Sequence, residues 1–146
     1  MTTIAVFAGS FDPFTIGHQD IVNRALPFFD KVIIAIGVNE EKAPLFSLEE
    51  RVNMINNAFL TNDKIVIETY TGLTGTFCEK NEAHYLIRGI RNNADFQYEN
   101  DLAQANKELF GLETVFFIAP PTLSHVSSTL VRELVKNKGN YRNYLP

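Results

Sequence analysis

Cysteine is almost missing from this sequence: Cys78 is the only one in 146 residues, so no internal disulfide can form. No apolar run approaches the roughly 20 residues of a membrane-spanning helix. No charged-then-apolar leader precedes the first strand-like run, and with the single thiol this leads us to expect a cytoplasmic protein. An excess of positive charge is also missing. The formal net charge is -4, which argues against the broad positive field that holds nucleic acid nonspecifically. A small polyanion would have to be gripped by a few local cations and backbone N–H groups. Repeats, linkers and low-complexity stretches are absent too. What remains is 45% hydrophobic and 21% charged, enough for one core and too short for two ordinary domains, so a single domain over 1–146 is expected. Fraying is expected from Asn140 to Pro146.

The apolar runs fall into two periods. Thr3 to Ala8 and Lys31 to Gly37 are short and almost continuously apolar, the pattern of strands covered on both faces, which points to a parallel sheet. Lys64 to Glu68, Ala83 to Ile87 and Glu113 to Ile118 read as three further strands. Between them, Ile21, Val22, Ala25, Leu26 and Phe29 share a helical face from about Gly17, with Pro27 distorting the last turn. Ser47 and Glu50 have capping-box spacing and open a second helix. Leu73 to Lys80, Ala94 to Phe110 and Ser127 to Lys136 complete the helices. Strict alternation predicts an α/β fold, a doubly wound Rossmann-like sheet of five parallel strands with helices on both faces. In such sheets ligands bind beyond the carboxyl ends of the strands, where strand order reverses.

Chemistry-bearing residues gather at those ends. After the first strand, GSFDPFTIGH (Gly9 to His18) places Ser10, Thr15 and His18 in a glycine-bounded loop that opens a helix, where free N–H groups and the dipole favour phosphate. His18 is placed to donate to oxygens whose charge grows in a transition state. Lys42 stands in the loop after the second strand. In LIRGIRNNADFQYEND, Gly89 is expected to allow a tight turn that aims Arg88 and Arg91 at one anion. Ser127, Ser128 and Thr129 open the last helix, with Arg132 one turn on. His84 and His125 lack ligand-like spacing, and Cys78 reads as a packing residue.

The string GSFDPFTIGH resembles the signature of the nucleotidyltransferase superfamily: a histidine or threonine, any residue, Gly, then His, here Thr15 to His18. PLFSLEER, LIRGIRNNADFQYEND and VSSTLVRE narrow the resemblance to the phosphopantetheine adenylyltransferase family across nearly the whole chain. That resemblance implies adenylyl transfer from ATP to 4'-phosphopantetheine, with magnesium accompanying the ATP phosphates and no protein metal cage. His18, Lys42 and Ser10 become the catalytic group. ATP is assigned to Ser10, Phe11, His18, Gly89, Ile90, Arg91 and Glu99, and to Leu123, Ser124, His125, Val126, Ser127, Ser128 and Thr129. The acceptor is assigned to Ser10, Lys42, Thr74 and Arg88. A homohexamer and feedback by coenzyme A are implied as well, while no nucleic acid and no membrane partner are expected from the net charge and the short apolar runs. Ser10 stands where many relatives carry threonine, and Leu123 and His125 where aromatics are common. The chain stops before the extra C-terminal helix of longer relatives. A sibling transferase acting on nicotinamide mononucleotide, or a noncatalytic nucleotide-binding module, would be the competing readings.

Overall fold

The unbroken hydrophobicity of the first two strands resolves into two alternating sets of side chains, because successive residues of a strand face opposite ways. In the computed structural model, which describes residues 1–146, β1 (Ile4–Gly9) and β2 (Lys31–Gly37) pair in parallel from Ile4 opposite Lys31 to Gly9 opposite Ile36. Ala5, Phe7, Val32, Ile34 and Ile36 enter one core with Ile21 and Val22 of α1 (Ile16–Ala25) and Ile55 of α2 (Leu48–Ala58). Val6, Ala8, Ile33 and Ala35 enter the other, with Phe77 and Cys78 of α3 (Thr74–Lys80). Pro27 lies in a 3-10 turn, Leu26–Phe28, that follows α1 directly.

The sheet is completed by β3 (Ile65–Tyr70), β4 (Tyr85–Ile90) and β5 (Glu113–Ile118), all parallel, in the order β3-β2-β1-β4-β5. The chain first winds outward from β1 to β3, then returns to place β4 on the other side of β1. Strand order therefore reverses between β1 and β4, and the carboxyl ends of these two strands form the crevice that this topology offers to ligands. Two helices flank it: the long α4 (Asn93–Phe110), closed by left-handed Gly111, and the shorter α5 (Ser128–Lys136).

Three expectations change. β4 runs to Ile90, so Arg88 and Gly89 lie within a strand rather than in a turn after it. Gly89 is favoured by packing instead: a Cβ there would stand 2.3 Å from Ile21 Cδ1, a side-chain tip that would have to shift, where α1 crosses β4. At α2, Ser47 Oγ accepts from the Glu50 N–H at 3.1 Å, but the reciprocal Glu50 contact does not form, so the box is half made. The C-terminal residues do not simply fray. Arg142–Tyr144 forms a 3-10 turn whose Tyr144 ring stands 5.7 Å from His125.

Candidate active site

Helix α1 is capped by the residues expected to do chemistry. Thr15 Oγ1 accepts from the His18 N–H at 3.3 Å, and His18 Nδ1 accepts from the Thr15 N–H at 2.9 Å. This reciprocal pair is a capping box with histidine in place of glutamate. Since Nδ1 is occupied as an acceptor, the hydrogen-bond pattern assigns the proton of the neutral ring to Nε2. The rings of Phe11, Phe14 and Phe7 stand 5.1, 5.2 and 6.0 Å from the imidazole and hold it in an apolar frame. Burial, aided by the charges of Arg88 and Arg91, pushes the His18 pKa down to about 3. At neutral pH His18 is therefore an uncharged donor. Phe11 reaches its place with a left-handed φ of 47°, a strain of about 1–3 kcal/mol that its burial among Phe7, Phe14 and His18 holds in place.

A second helix start meets the first. Ser127 Oγ accepts from the Leu130 N–H at 3.0 Å, and Ser128 Oγ donates to the Pro13 carbonyl at 2.8 Å, tying α5 to the β1 loop. Both hydroxyls are thus spent on structure. The N–H groups of Ser128 and Thr129 find no protein acceptor, and neither does that of Gly17 in α1. Unpaired N–H groups and the positive ends of two helix dipoles so converge on one place.

That place is a cavity of about 340 Å³ at the switch point, whose lining includes Ser10, Phe11, His18, Arg88, Gly89, Ile90, Arg91, Leu123, Val126, Ser127, Ser128 and Thr129. Asp20 is the only carboxylate on its wall, and Arg24 pairs with it at 3.1 Å. The cavity is therefore built for an anion.

Arg88 forms the wall between this cavity and another of about 310 Å³ lined by Tyr70, Leu73, Thr74, Glu99, Leu102, Asn106 and Thr114. Glu99 grips Arg88 by two bonds, Nε to Oε2 at 2.7 Å and Nη2 to Oε1 at 2.6 Å, while Nη1 donates to the Ala8 carbonyl at 2.8 Å. Burial opposes the charge of Arg88, but the hydrogen bonds and charge of Glu99 outweigh it and keep the guanidinium firmly protonated. Arg91 is likewise held by Asp95, at 3.1 Å from Nε.

Lys42 lines a third cavity with Ser10, Asp12, Arg51 and Arg132, so Ser10 is shared between it and the cavity of His18. Several assigned residues lie outside the His18 cavity. Glu99 and Thr74 line the cavity beyond Arg88. Ser124 donates to the Pro121 carbonyl and His125 packs on Tyr144. Arg132 donates to the Asp12 carbonyl and to Thr129 Oγ1, bracing loops rather than lining the His18 cavity. Sequence reasoning passed over Asp12 and Arg51, which are 7% and 5% exposed. An ionisable residue inside a turn motif (Asp12) and another on the apolar side of a helix (Arg51) were the available signals.

Residues 6–134 match the cytidylyltransferase-like family. The chain is 48% identical to the phosphopantetheine adenylyltransferase of Cytophaga hutchinsonii, over 100% of this chain and 98% of that one. It is also 48% identical to the phosphopantetheine adenylyltransferase of Porphyromonas gingivalis, over 98% and 94%. In three dimensions it resembles a bifunctional NMN adenylyltransferase/ADP ribose pyrophosphatase from Francisella tularensis, with a TM-score of 0.77 at 22% identity, over 99% of this chain and 45% of that longer one. Nicotinic acid mononucleotide adenylyltransferase from Plasmodium falciparum gives a TM-score of 0.67 at 16% identity, over 99% and 91%. The structural likeness establishes the shared fold, and the two full-length sequence matches establish the rest: this chain belongs to the cytidylyltransferase-like family and, within it, to the phosphopantetheine adenylyltransferases.

Proposed function

We propose that the chain transfers the adenylyl group of ATP to 4'-phosphopantetheine, giving dephospho-coenzyme A and pyrophosphate. The observation that carries this reading is that Ala8, Gly9 and Arg88 line both the anion cavity between two helix starts and a second, neighbouring cavity. ATP occupies the first, with its phosphates against the free N–H groups of α1 and α5 and against Arg91. The acceptor lies in the second, its phosphate at Arg88 and its neutral amide arm along Thr74 and Asn106. Thr114 Oγ1, buried there without a partner, suits such an amide.

An oxygen of the acceptor phosphate attacks the α-phosphorus in line. The bond from that phosphorus to the bridging oxygen breaks, and pyrophosphate leaves. The attacking oxyanion needs no general base, so the protein's work is orientation and charge stabilisation. His18 donates Nε2–H to the transferring group without carrying charge, Ser10 adds its hydroxyl, and Lys42 adds a point charge from the neighbouring loop. No group of three or more His, Cys, Asp or Glu side chains is placed to cage a metal. Magnesium would therefore be held by ATP phosphates and water, entering as part of the substrate.

The same reading makes residues 1–146 one catalytic domain and the protein a cytoplasmic homohexamer restrained by coenzyme A. No helix is long and apolar enough to cross a membrane. Exposed Phe96, Leu102 and Leu109 on α4 suit subunit contact. Incubation with ATP and, in turn, 4'-phosphopantetheine, nicotinamide mononucleotide and nicotinic acid mononucleotide tests the assignment. Pyrophosphate is expected only with the first acceptor, and release only with a mononucleotide would overturn it.

A further inference from the structure

Lys42 sits on an exposed loop, yet the reaction proposed above needs its ammonium at a fixed point beside Ser10. The loop joins β2 to α2, and Glu40 through Leu45 are all exposed; a turn on Asn39, which accepts from the Glu41 and Lys42 N–H groups, shapes it locally but does not tie it to the Ser10 loop. Two buried charged side chains reach it. Asp12 accepts from the Leu45 N–H at 2.9 Å through Oδ2 and from the Phe46 N–H at 2.8 Å through Oδ1. Arg51 donates from Nε to the Phe46 carbonyl at 3.1 Å and from Nη1 to the Ser10 carbonyl at 2.9 Å. The Phe46 residue is thus held at its N–H by an anion and at its C=O by a cation. Arg132 Nη1 completes the brace by donating to the Asp12 carbonyl at 2.9 Å.

We infer that Asp12 and Arg51 are positioning residues that clasp the Lys42 loop to the Ser10 loop and so align Lys42 with the transferring phosphoryl group. Neither touches the reacting atoms. Burying ionised groups is costly unless their hydrogen bonds are met, and apolar contacts would close the gap at lower cost. What apolar contacts lack is direction. Two bonds accepted by one carboxylate and three donated by one guanidinium, the third from Nε to the Ser47 carbonyl at 3.4 Å, fix the loop in register as well as in proximity.

This inference rests on the proposed adenylyl transfer, and its test separates the two. Asp12→Asn keeps the shape but presents an amide N–H to one of the loop N–H groups. We expect turnover to fall by about tenfold to a hundredfold, with the KM for ATP changed by less than about threefold. Placed on Lys42→Ala, the same change should cost nothing more, because its effect passes through Lys42. Equal losses in both backgrounds, or full turnover in Asp12→Asn, overturn the clasp. Should Asp12→Asn fail to fold, Arg51→Lys, which keeps charge but loses the forked reach, carries the same cycle. Amide exchange of Leu45 and Phe46 reads the clasp without any turnover. Protection present in the natural chain and lost in the variant supports it, and unchanged protection overturns it. A natural chain that releases no pyrophosphate defeats the proposed reaction alone, since the exchange arm still judges the clasp.

Discussion

The two cavities that meet at Ala8, Gly9 and Arg88 are built from different materials. On the nucleotide side, backbone N–H groups at the starts of α1 and α5 and the neutral ring of His18, fixed by local caps, stand beside a single guanidinium of that side's own, Arg91 on its Asp95 partner. On the acceptor side, the principal donor is a charged side chain, Arg88, held by a carboxylate from another element. Arg91 aside, the first side meets an anion with dipoles that need no counter-charge. The second holds a full charge in readiness, and needs Glu99 to make that charge tolerable when no ligand is present. Changes on one side should therefore strike rate, and changes on the other should strike folding and acceptor affinity together.

The sharpest way to break this contrast is His18→Ala. Removing a preorganised donor from the site of charge development is expected to slow turnover by about a hundredfold to a thousandfold, roughly 3–4 kcal/mol, while ATP affinity changes little. Steady-state rates beside equilibrium ATP binding check this. A variant that loses ATP affinity and keeps its rate would place His18 in ground-state binding.

Next comes Arg88→Ala, which tests the opposite side. It should weaken acceptor saturation, and it also strands the Glu99 carboxylate, whose side chain is 9% exposed. A buried charge left without its partner costs about 3 kcal/mol or more. The fall in denaturation midpoint should be largely recovered by adding Glu99→Gln, which neutralises the orphan, whereas acceptor binding should stay weak. If Glu99→Gln alone leaves acceptor affinity intact, Glu99 serves to hold the charge and not to orient it.

Smaller, and specific to the nucleotide side, is a dependence on acid. The folded His18 pKa is about 3 against an ordinary 6.5, so below that ordinary value the unfolded chain takes up a proton that the native ring refuses. Stability from the neutral ring is complete above about pH 6.5 and is lost as pH falls, at about 1.4 kcal/mol per pH unit. Urea titrations between about pH 6.5 and 5, above the range of ordinary carboxylates, should show this slope in the natural chain and not in His18→Gln. The pH–rate profile should show no limb from His18 near 6.5.

How much of this was readable beforehand depended on whether the deciding contacts were local. β2 is bounded as its continuous apolar run predicts, because both its faces are covered by the sheet's helices. The second half of β4 was hidden, since Arg88 and Gly89 break its apolar pattern where function and close packing intrude. Thr15 and His18 were visible as a signature, but the lock of one on the other is a detail of rotamers. The resemblance assigned Glu99 to the nucleotide, and spacing along α4 does not reveal that it pairs with Arg88, eleven positions earlier on a strand. Asp12 and Arg51 act across 33 to 41 positions of sequence, where only the folded chain brings the partners together.

The smallest effect lies on the seam where the two sides meet. Gly89 belongs to the strand that carries Arg88, and a methyl group added there would press on Ile21 Cδ1 of α1, the helix that carries His18. Because the obstacle is the tip of a flexible side chain and not backbone, the ring of consequences should be narrow: Gly89→Ala is expected to cost about 1 kcal/mol of stability, near the lower end of overpacking changes. Ile21→Val, which removes that tip, should relieve most of the cost in the double variant. If the seam only separates two layers of packing, turnover and acceptor affinity will track the lost stability and recover with it. A persistent loss of turnover in the relieved double variant would instead mean that the backbone of Gly89 itself faces the nucleotide, extending the dipole-built side one strand further than the helix starts alone define.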